Sequence, residues 1–162
     1  MSAKRDPLLT DLDALLKRTP PPLAEILDKV LARYDCPLGT IHLLAASGDL
    51  ELAVHKNLPP PVVDKVKRVP IGKGMAGIAA ERKEPVQVCN LQSDASGVVR
   101  PGAKLTQMEG SLACPMLDGD KVVGVIGVAK PVPYEFTKAE SELLLQVGKT
   151  LARVANSKSK PR

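Results

Sequence analysis

The run VPIGKGMAGIAAERKEPVQV, residues 69–88, places Gly72, Gly74 and Gly77 at G-x-G-x-x-G spacing, with Lys73 among them. Side-chain-free backbone beside a lysine is the chemistry of oxyanion binding, because free amides and a cation can cradle a phosphate. The wider pattern argues against a nucleotide loop. A P-loop needs G-x-x-x-x-G-K-[ST], and IGKGMAGIAA has neither that spacing nor the hydroxyl. A dinucleotide turn must follow a buried strand in a parallel strand-helix-strand unit, yet the preceding segment is the charged VDKVKRV. The structural alternative uses Gly72 and Gly74 for a tight turn into a helix. Gly77 then lets that helix lie against a neighbouring backbone.

Thiols and imidazoles are the other reactive groups. Cys36, Cys89 and Cys114 are too few and too scattered for a disulfide framework, and no Cys-x-x-Cys occurs. As residue types, Cys89 and Cys114 read as small buried hydrophobes. His42 and His55 form no zinc pattern with the cysteines, so neither a metal nor a cofactor is expected. Both histidines are expected to be ordinary half-exposed residues on hairpin strands.

Composition narrows the classes further. A chain of 162 residues with 44% hydrophobic content supports one domain with a full core. No apolar run approaches a membrane span, and the N-terminal leucines alternate with aspartates, unlike a signal peptide. The expectation is a cytoplasmic protein without membrane contact. The net charge of +5 lies in the tails. Without Lys4, Arg5, Lys158, Lys160 and Arg162 the chain carries 18 basic and 18 acidic residues. Its only aromatics are Tyr34, Tyr134 and Phe136. Nucleic-acid binding, which needs concentrated positive charge and stacking platforms, is not expected.

The positioning elements are legible from periodicity. Asp6-Pro7 starts a helix carrying the stripe Leu8, Leu9, Leu12, Leu15 and Leu16. Thr19-Pro20 repeats the start signal for a second helix with Leu23, Ile26, Leu27, Val30, Leu31 and Tyr34, ended by Cys36-Pro37. A hairpin follows, with strands at about 38–46 and 50–56 around Ser47-Gly48-Asp49. Asn57 comes next, a residue that tolerates positive φ. A short helix after the prolines at 59–61, a helix over 74–83 and a short strand PVQV are expected. Residues 90–110 read as a polar loop of the kind that forms lids. SLACPMLDGDKVVGVIGVAK is a hairpin turning at Asp118-Gly119. Thr137 and Glu140 form a capping box for the last helix, which Gly148 interrupts at a cost of about 1 kcal/mol against alanine. A close helix-to-helix contact is one way to compensate that cost.

This order resembles the GAF domain family over about residues 20–156. GKGMAGIAA, the Pro115-to-Gly127 hairpin and Phe136-Thr-Lys-Ala-Glu140 carry the resemblance. It implies an α+β, GAF/PAS-like fold with an antiparallel sheet of five or six strands. Terminal helices would cover one face. A helix and loop layer would enclose a small-molecule pocket on the other. Residues 1–19 become an N-terminal extension helix, and 157–162 a disordered basic tail.

The family consists mainly of sensors, so the resemblance implies a non-enzymatic small-molecule sensor that signals through a separate protein. An interaction or dimerisation module without ligand is the alternative. A homodimer built on the terminal helices is expected, with a partner copy burying the first leucine stripe. Free methionine-(R)-sulfoxide reductases share this family and need a thiolate plus a resolving thiol. In them a cysteine precedes the glycine matching Gly77, and another lies in the loop matching 90–110. Here the first position is Ala76 and the loop has no cysteine. A Cys-His pair for a bilin is absent, and only Phe136 and Glu140 echo the cyclic-nucleotide motif. Phe136 as core and Glu140 as cap is the plainer account.

The expected pocket has Arg100 and Lys104 on its lid and Val88, Met116 and Ile126 on its floor. Met75, Ile78 and Met108 close its sides. Its ligand is expected to be a small anion, such as a carboxylate or an oxoanion. Strand 85–89 would neighbour strand 111–117, which makes Cys89 and Cys114 a candidate redox pair.

Overall fold

A computed structural model describes residues 5–93 and 106–159, the last six as backbone only. Six strands form one antiparallel sheet: β1 (Leu38–Leu44), β2 (Leu50–Lys56), β3 (Arg68–Val69), β4 (Val86–Val88), β5 (Gly110–Asp118) and β6 (Lys121–Lys130). Their spatial order is β3-β2-β1-β6-β5-β4. Two hairpins supply this order, and β1 joins them by pairing with β6. The two-residue strand β3 has no periodicity to announce it and was not legible.

Five helices occur among the described residues: α1 (Pro7–Leu15), α2 (Leu23–Tyr34), α3 (Pro60–Val66), α4 (Gly74–Arg82) and α5 (Lys138–Ser159). The fold is therefore α+β. Period-two alternation decides which residues meet which layer. Ile41, Leu112, Cys114, Met116, Ile126 and Val128 share one core with the buried stripes of α1, α2 and α5. On the other face, Ala113 and Val125 meet α4, while Leu38 and Ala129 meet Leu58 and Val62 at α3. No helix among the described residues is long and apolar enough to cross a membrane.

Helix starts and stops follow local chemistry. The Asp6 carboxylate accepts the Leu8 amide at 2.9 Å and pairs with Arg33 of α2 at 3.0 Å. The α5 capping box forms as expected. The Glu140 amide donates to Thr137 Oγ1 at 3.1 Å, and the Thr137 amide donates to Glu140 Oε1 at 2.9 Å. Phe136 is buried in the core. Thr19 does not cap α2, whose capping residue is Pro22 with no side-chain bond.

Three expectations require correction. Leu8, Leu9 and Leu12 are buried within the chain itself, where α1 packs on α2 and α5. The stripe therefore needs no partner copy to cover it. A β-carbon on Gly148 would meet the Pro115 carbonyl oxygen at 2.7 Å, so this glycine serves a helix-to-strand contact, not a helix-to-helix one. Helix α5 continues to Ser159, so residues 157–159 are helical, and 160–162 lie outside the described residues.

Candidate functional site

Between the sheet and the α3–α4 layer lies a cavity of about 340 Å³. Its existence follows from side-chain size. Residues facing the helical core are large: Leu112, Met116, Ile126 and Val128. Most alternate positions that reach the cavity on the same strands are small, Ser111, Ala113, Gly127 and Ala129, with Val125 the larger exception. Native interiors are close-packed, so a sheet face left short of volume opens a space under its covering layer. Leu38, Thr40, His42, Ser111, Ala113, Val125, Gly127 and Ala129 line that space from the sheet, and Leu112 and Val128, whose side chains belong to the helical core, border it as well. Leu58, Val62, Lys65 and Val66 line it from the α3 segment, and Lys73 to Ala76 from the start of α4. Val69, Leu91 and Thr106 complete the described lining that bears on its chemistry.

The glycine turn is structural, and it also reaches this cavity. Gly72 and Gly74 have φ of 90° and 66°, which β-carbons resist. The Gly72 amide donates to the Gly77 carbonyl at 2.8 Å, which closes the turn. A β-carbon on Gly77 would sit 2.3 Å from the Pro70 carbonyl oxygen. The antiparallel sheet around it leaves no place for a dinucleotide turn. The turn points the start of α4 at the cavity, and Lys73 is its N-cap without any side-chain hydrogen bond. The amides of Gly74, Met75 and Ala76 have no helical carbonyl to donate to.

His42 is the one buried polar residue among the described residues, with 3% of its surface exposed. This overturns the half-exposed expectation, because the register shift between Ile41 and His42 falls where β1 is central in the sheet. Its Nε2 lies 2.9 Å from the Val66 carbonyl oxygen, and a carbonyl only accepts, so Nε2 carries the proton. Its Nδ1 is buried without a partner. Burial pushes the imidazole below its ordinary pKa, opposed by the bond to Val66. His55 is exposed.

A first prediction follows from His42. The unfolded chain protonates this ring near pH 6.5, while the folded chain resists protonation to lower pH. Between those values the unfolded state binds more protons, so stability falls as pH falls below about 6.5. The loss is up to about 1.4 kcal/mol per pH unit. Urea unfolding of wild type and His42→Asn at pH 7 and pH 5.5 checks this: wild type should lose stability on acidification, and the variant should lose less.

The sequence-expected site residues scatter. Met75 lines the cavity. Ile78 packs beside it in the α4 contact with the sheet, and Met108 packs against Leu38, Leu58, Val62 and Ala129. Val88 is buried on edge strand β4, paired with Ser111, and is not among the lining residues. Met116 and Ile126 face the opposite side, fully buried among the helices, so the floor comes from the alternate strand positions instead. Arg100 and Lys104 lie outside the described residues. The described residues on either side of that segment are joined. The Leu91 amide donates to the Glu109 carbonyl at 2.7 Å, and Gln92 Nε2 donates to the Met108 carbonyl at 2.8 Å.

The redox pair is also corrected. Val88 pairs with Ser111 and Val86 with Ala113, so Cys89 and Cys114 stand about four residues out of register. At about 3.3 Å per residue that is roughly 13 Å along the strands, beyond the ~7 Å that a disulfide spans. All three cysteines are free. Cys114 and Cys36 are buried on the helical side, where burial pushes their thiols up to about 12 and about 11. Cys89 is exposed and is not among the lining residues.

Comparison with known proteins agrees with this architecture. The profile described as GAF domain matches residues 23–154. The GAF domain of a phosphoenolpyruvate-protein phosphotransferase from Coxiella burnetii superposes with a TM-score of 0.77 at 18% identity, covering 94% of this chain and 94% of that one. The corresponding domain from Acinetobacter gives 0.72 at 20% identity, covering 93% and 89%. The free methionine-R-sulfoxide reductase of Neisseria meningitidis, in complex with its substrate, gives 0.76 at 15% identity, covering 99% and 98%. At these identities the likeness carries the fold and not the activity. No curated protein matches the chain.

Proposed function

The chain belongs to the GAF domain family, and from that premise we propose that it is a sensor. It binds a small molecule reversibly in the sheet cavity, does no chemistry on it, and passes the signal to a separate protein. Structural neighbours include regulatory GAF domains and sulfoxide reductases alike, so the likeness does not choose between them. The chemistry of the cavity lining supports the choice. A reductase needs a thiolate to attack the sulfoxide sulfur and a second thiol to resolve the product as a disulfide. None of the three cysteines lines the cavity. Ala76, where the reductase resemblance would place a cysteine, is itself a lining residue. Volume also fits a binder, since small-molecule pockets start near 300 Å³ and are mostly apolar with a few polar groups.

The test is turnover of free methionine-(R)-sulfoxide with a thiol reductant. The expected rate equals the protein-free background. Turnover that disappears in Cys89→Ser or Cys114→Ser would overturn the reading in favour of an enzyme.

A further inference from the structure

We infer that the sheet cavity takes an uncharged aliphatic ligand of about six carbons, an alcohol or a ketone, with its chain along the wall and its one oxygen on the Thr40 hydroxyl. This deepens the sensor reading and rests on it.

The cavity has few polar groups to offer. Hydroxyls of Thr40, Thr106 and Ser111 line its described part. Ser111 Oγ donates to the Val128 carbonyl at 3.4 Å, and Thr106 Oγ1 accepts the Met108 amide at 3.1 Å. Thr40 Oγ1 has no hydrogen-bond partner among the described residues. It is not sealed in the protein either. Thr40 is half-buried, and the unpartnered side-chain atom that is fully buried is His42 Nδ1. The place of the hydroxyl is set by Gly127, which pairs with Thr40 across β1 and β6. A β-carbon on Gly127 would lie 3.3 Å from Thr40 Oγ1, so the hydroxyl stands beside a floor position that has no side chain. A hydroxyl both donates and accepts, so a ligand alcohol or carbonyl oxygen there completes it.

The rest of the wall is hydrocarbon. Leu38, Leu58, Val62, Val66, Val69 and Met75 line it, and a chain laid against them leaves water together with them. An apolar cavity of about 150 Å³ holds a six-carbon ring, and this one, at about 340 Å³, has room for an extended chain of that size and its oxygen. A charged head is disfavoured. The cations that line the cavity, Lys65 and Lys73, are exposed to solvent, and no buried charged side chain lines its described part. An ionised group carried to Thr40 would give up its water for one neutral hydroxyl. No phenyl, phenol or indole ring lines the described part, so a flat nucleobase or chromophore finds no stacking partner.

Calorimetric titration with 1-butanol, 1-pentanol and 1-hexanol at pH 7 tests the assignment, with hexanoate as the charged control. The association constant should rise about fourfold with each added methylene. Hexanoate should bind at least tenfold more weakly than 1-hexanol. Thr40→Val keeps a β-branched side chain of the same shape and removes the oxygen, so it should weaken 1-hexanol about fivefold. Thr40→Ser keeps the hydroxyl and should bind within about twofold of wild type. An affinity independent of chain length, hexanoate binding as tightly as 1-hexanol, Thr40→Val binding as wild type, Thr40→Ser binding no better than Thr40→Val, or no binding by any alcohol would overturn the inference. Each of these leaves the sensor reading standing with a ligand of other chemistry, whereas sulfoxide turnover would remove that reading separately.

Discussion

Replacing Gly77 with alanine should cost the domain about 2–3 kcal/mol and lower its melting point by about 5–10 °C. Two effects compete at this helical position. Alanine improves helix propensity by about 1 kcal/mol over glycine. Against that, its β-carbon would lie 2.3 Å from the Pro70 carbonyl oxygen, which is backbone and not a side chain that can swing away. That oxygen also accepts the Lys73 amide at 3.2 Å, within the turn closed by Gly72 and Gly77. Relief of the clash must therefore pull α4 off the sheet or open the turn, and overpacking wins over propensity. Thermal unfolding followed by circular dichroism measures it. A variant as stable as wild type would mean that α4 does not approach Pro70 as described. The loss should exceed that in Gly119→Ala, where a β-carbon meets nothing within 4 Å and only the positive φ opposes it.

Leu12→Ala should cost more, about 2–5 kcal/mol. The side chain is fully buried in the core that α1 shares with α2 and α5. Truncation loses its transfer free energy and leaves a cavity, because Leu8, Leu9 and the neighbouring helices are held by their own contacts. The partner that buries Leu12 is its own chain, so the loss should not depend on protein concentration. Urea midpoints at two concentrations a hundredfold apart check both statements. A loss under 1 kcal/mol would make α1 a detachable extension. A strongly concentration-dependent loss would return its leucine stripe to a dimer interface.

The fold was readable because local signals agreed with one another. Asp6-Pro7, Ser47-Gly48-Asp49, Asp118-Gly119 and the Thr137–Glu140 box each mark a boundary by their own hydrogen bonds or φ, with no tertiary information needed. The glycine run was readable for the same reason, since a clash and two positive φ values are backbone properties. What local signals do not carry is phase. Turn residues mark the β5–β6 hairpin, but they do not say which face Met116 and Ile126 take, and both face the helices, not the cavity. Size was the available clue. Ser111, Ala113, Gly127 and Ala129 alternate with large residues, and the small phase borders the space that a ligand can use. Register was equally hidden: β4 and β5 are neighbours, but the offset that separates Cys89 from Cys114 depends on the chain between them. Nothing local marks Lys65 and Lys73, because lysines on short amphipathic segments are usually solvated. Only the α3–α4 layer brings them to one cavity. Nothing local marks His42 either: its burial comes from β1 lying in the middle of the sheet, and pairing of β1 with β6 spans more than eighty residues of sequence.

A sensor's cavity binds its small molecule and releases it untransformed. A two-dimensional amide NMR titration under reducing thiol checks this, with the aliphatic alcohols, small carboxylates, oxoanions and free methionine-(R)-sulfoxide added in turn while the small molecules are followed by their own signals. Saturable shifts are expected for at least one of these alcohols or anions, confined to cavity residues such as Thr40, His42, Met75, Ser111 and Gly127, with every added compound recovered unchanged. Methionine formed from the sulfoxide, or no saturable shift at any cavity residue, would contradict it.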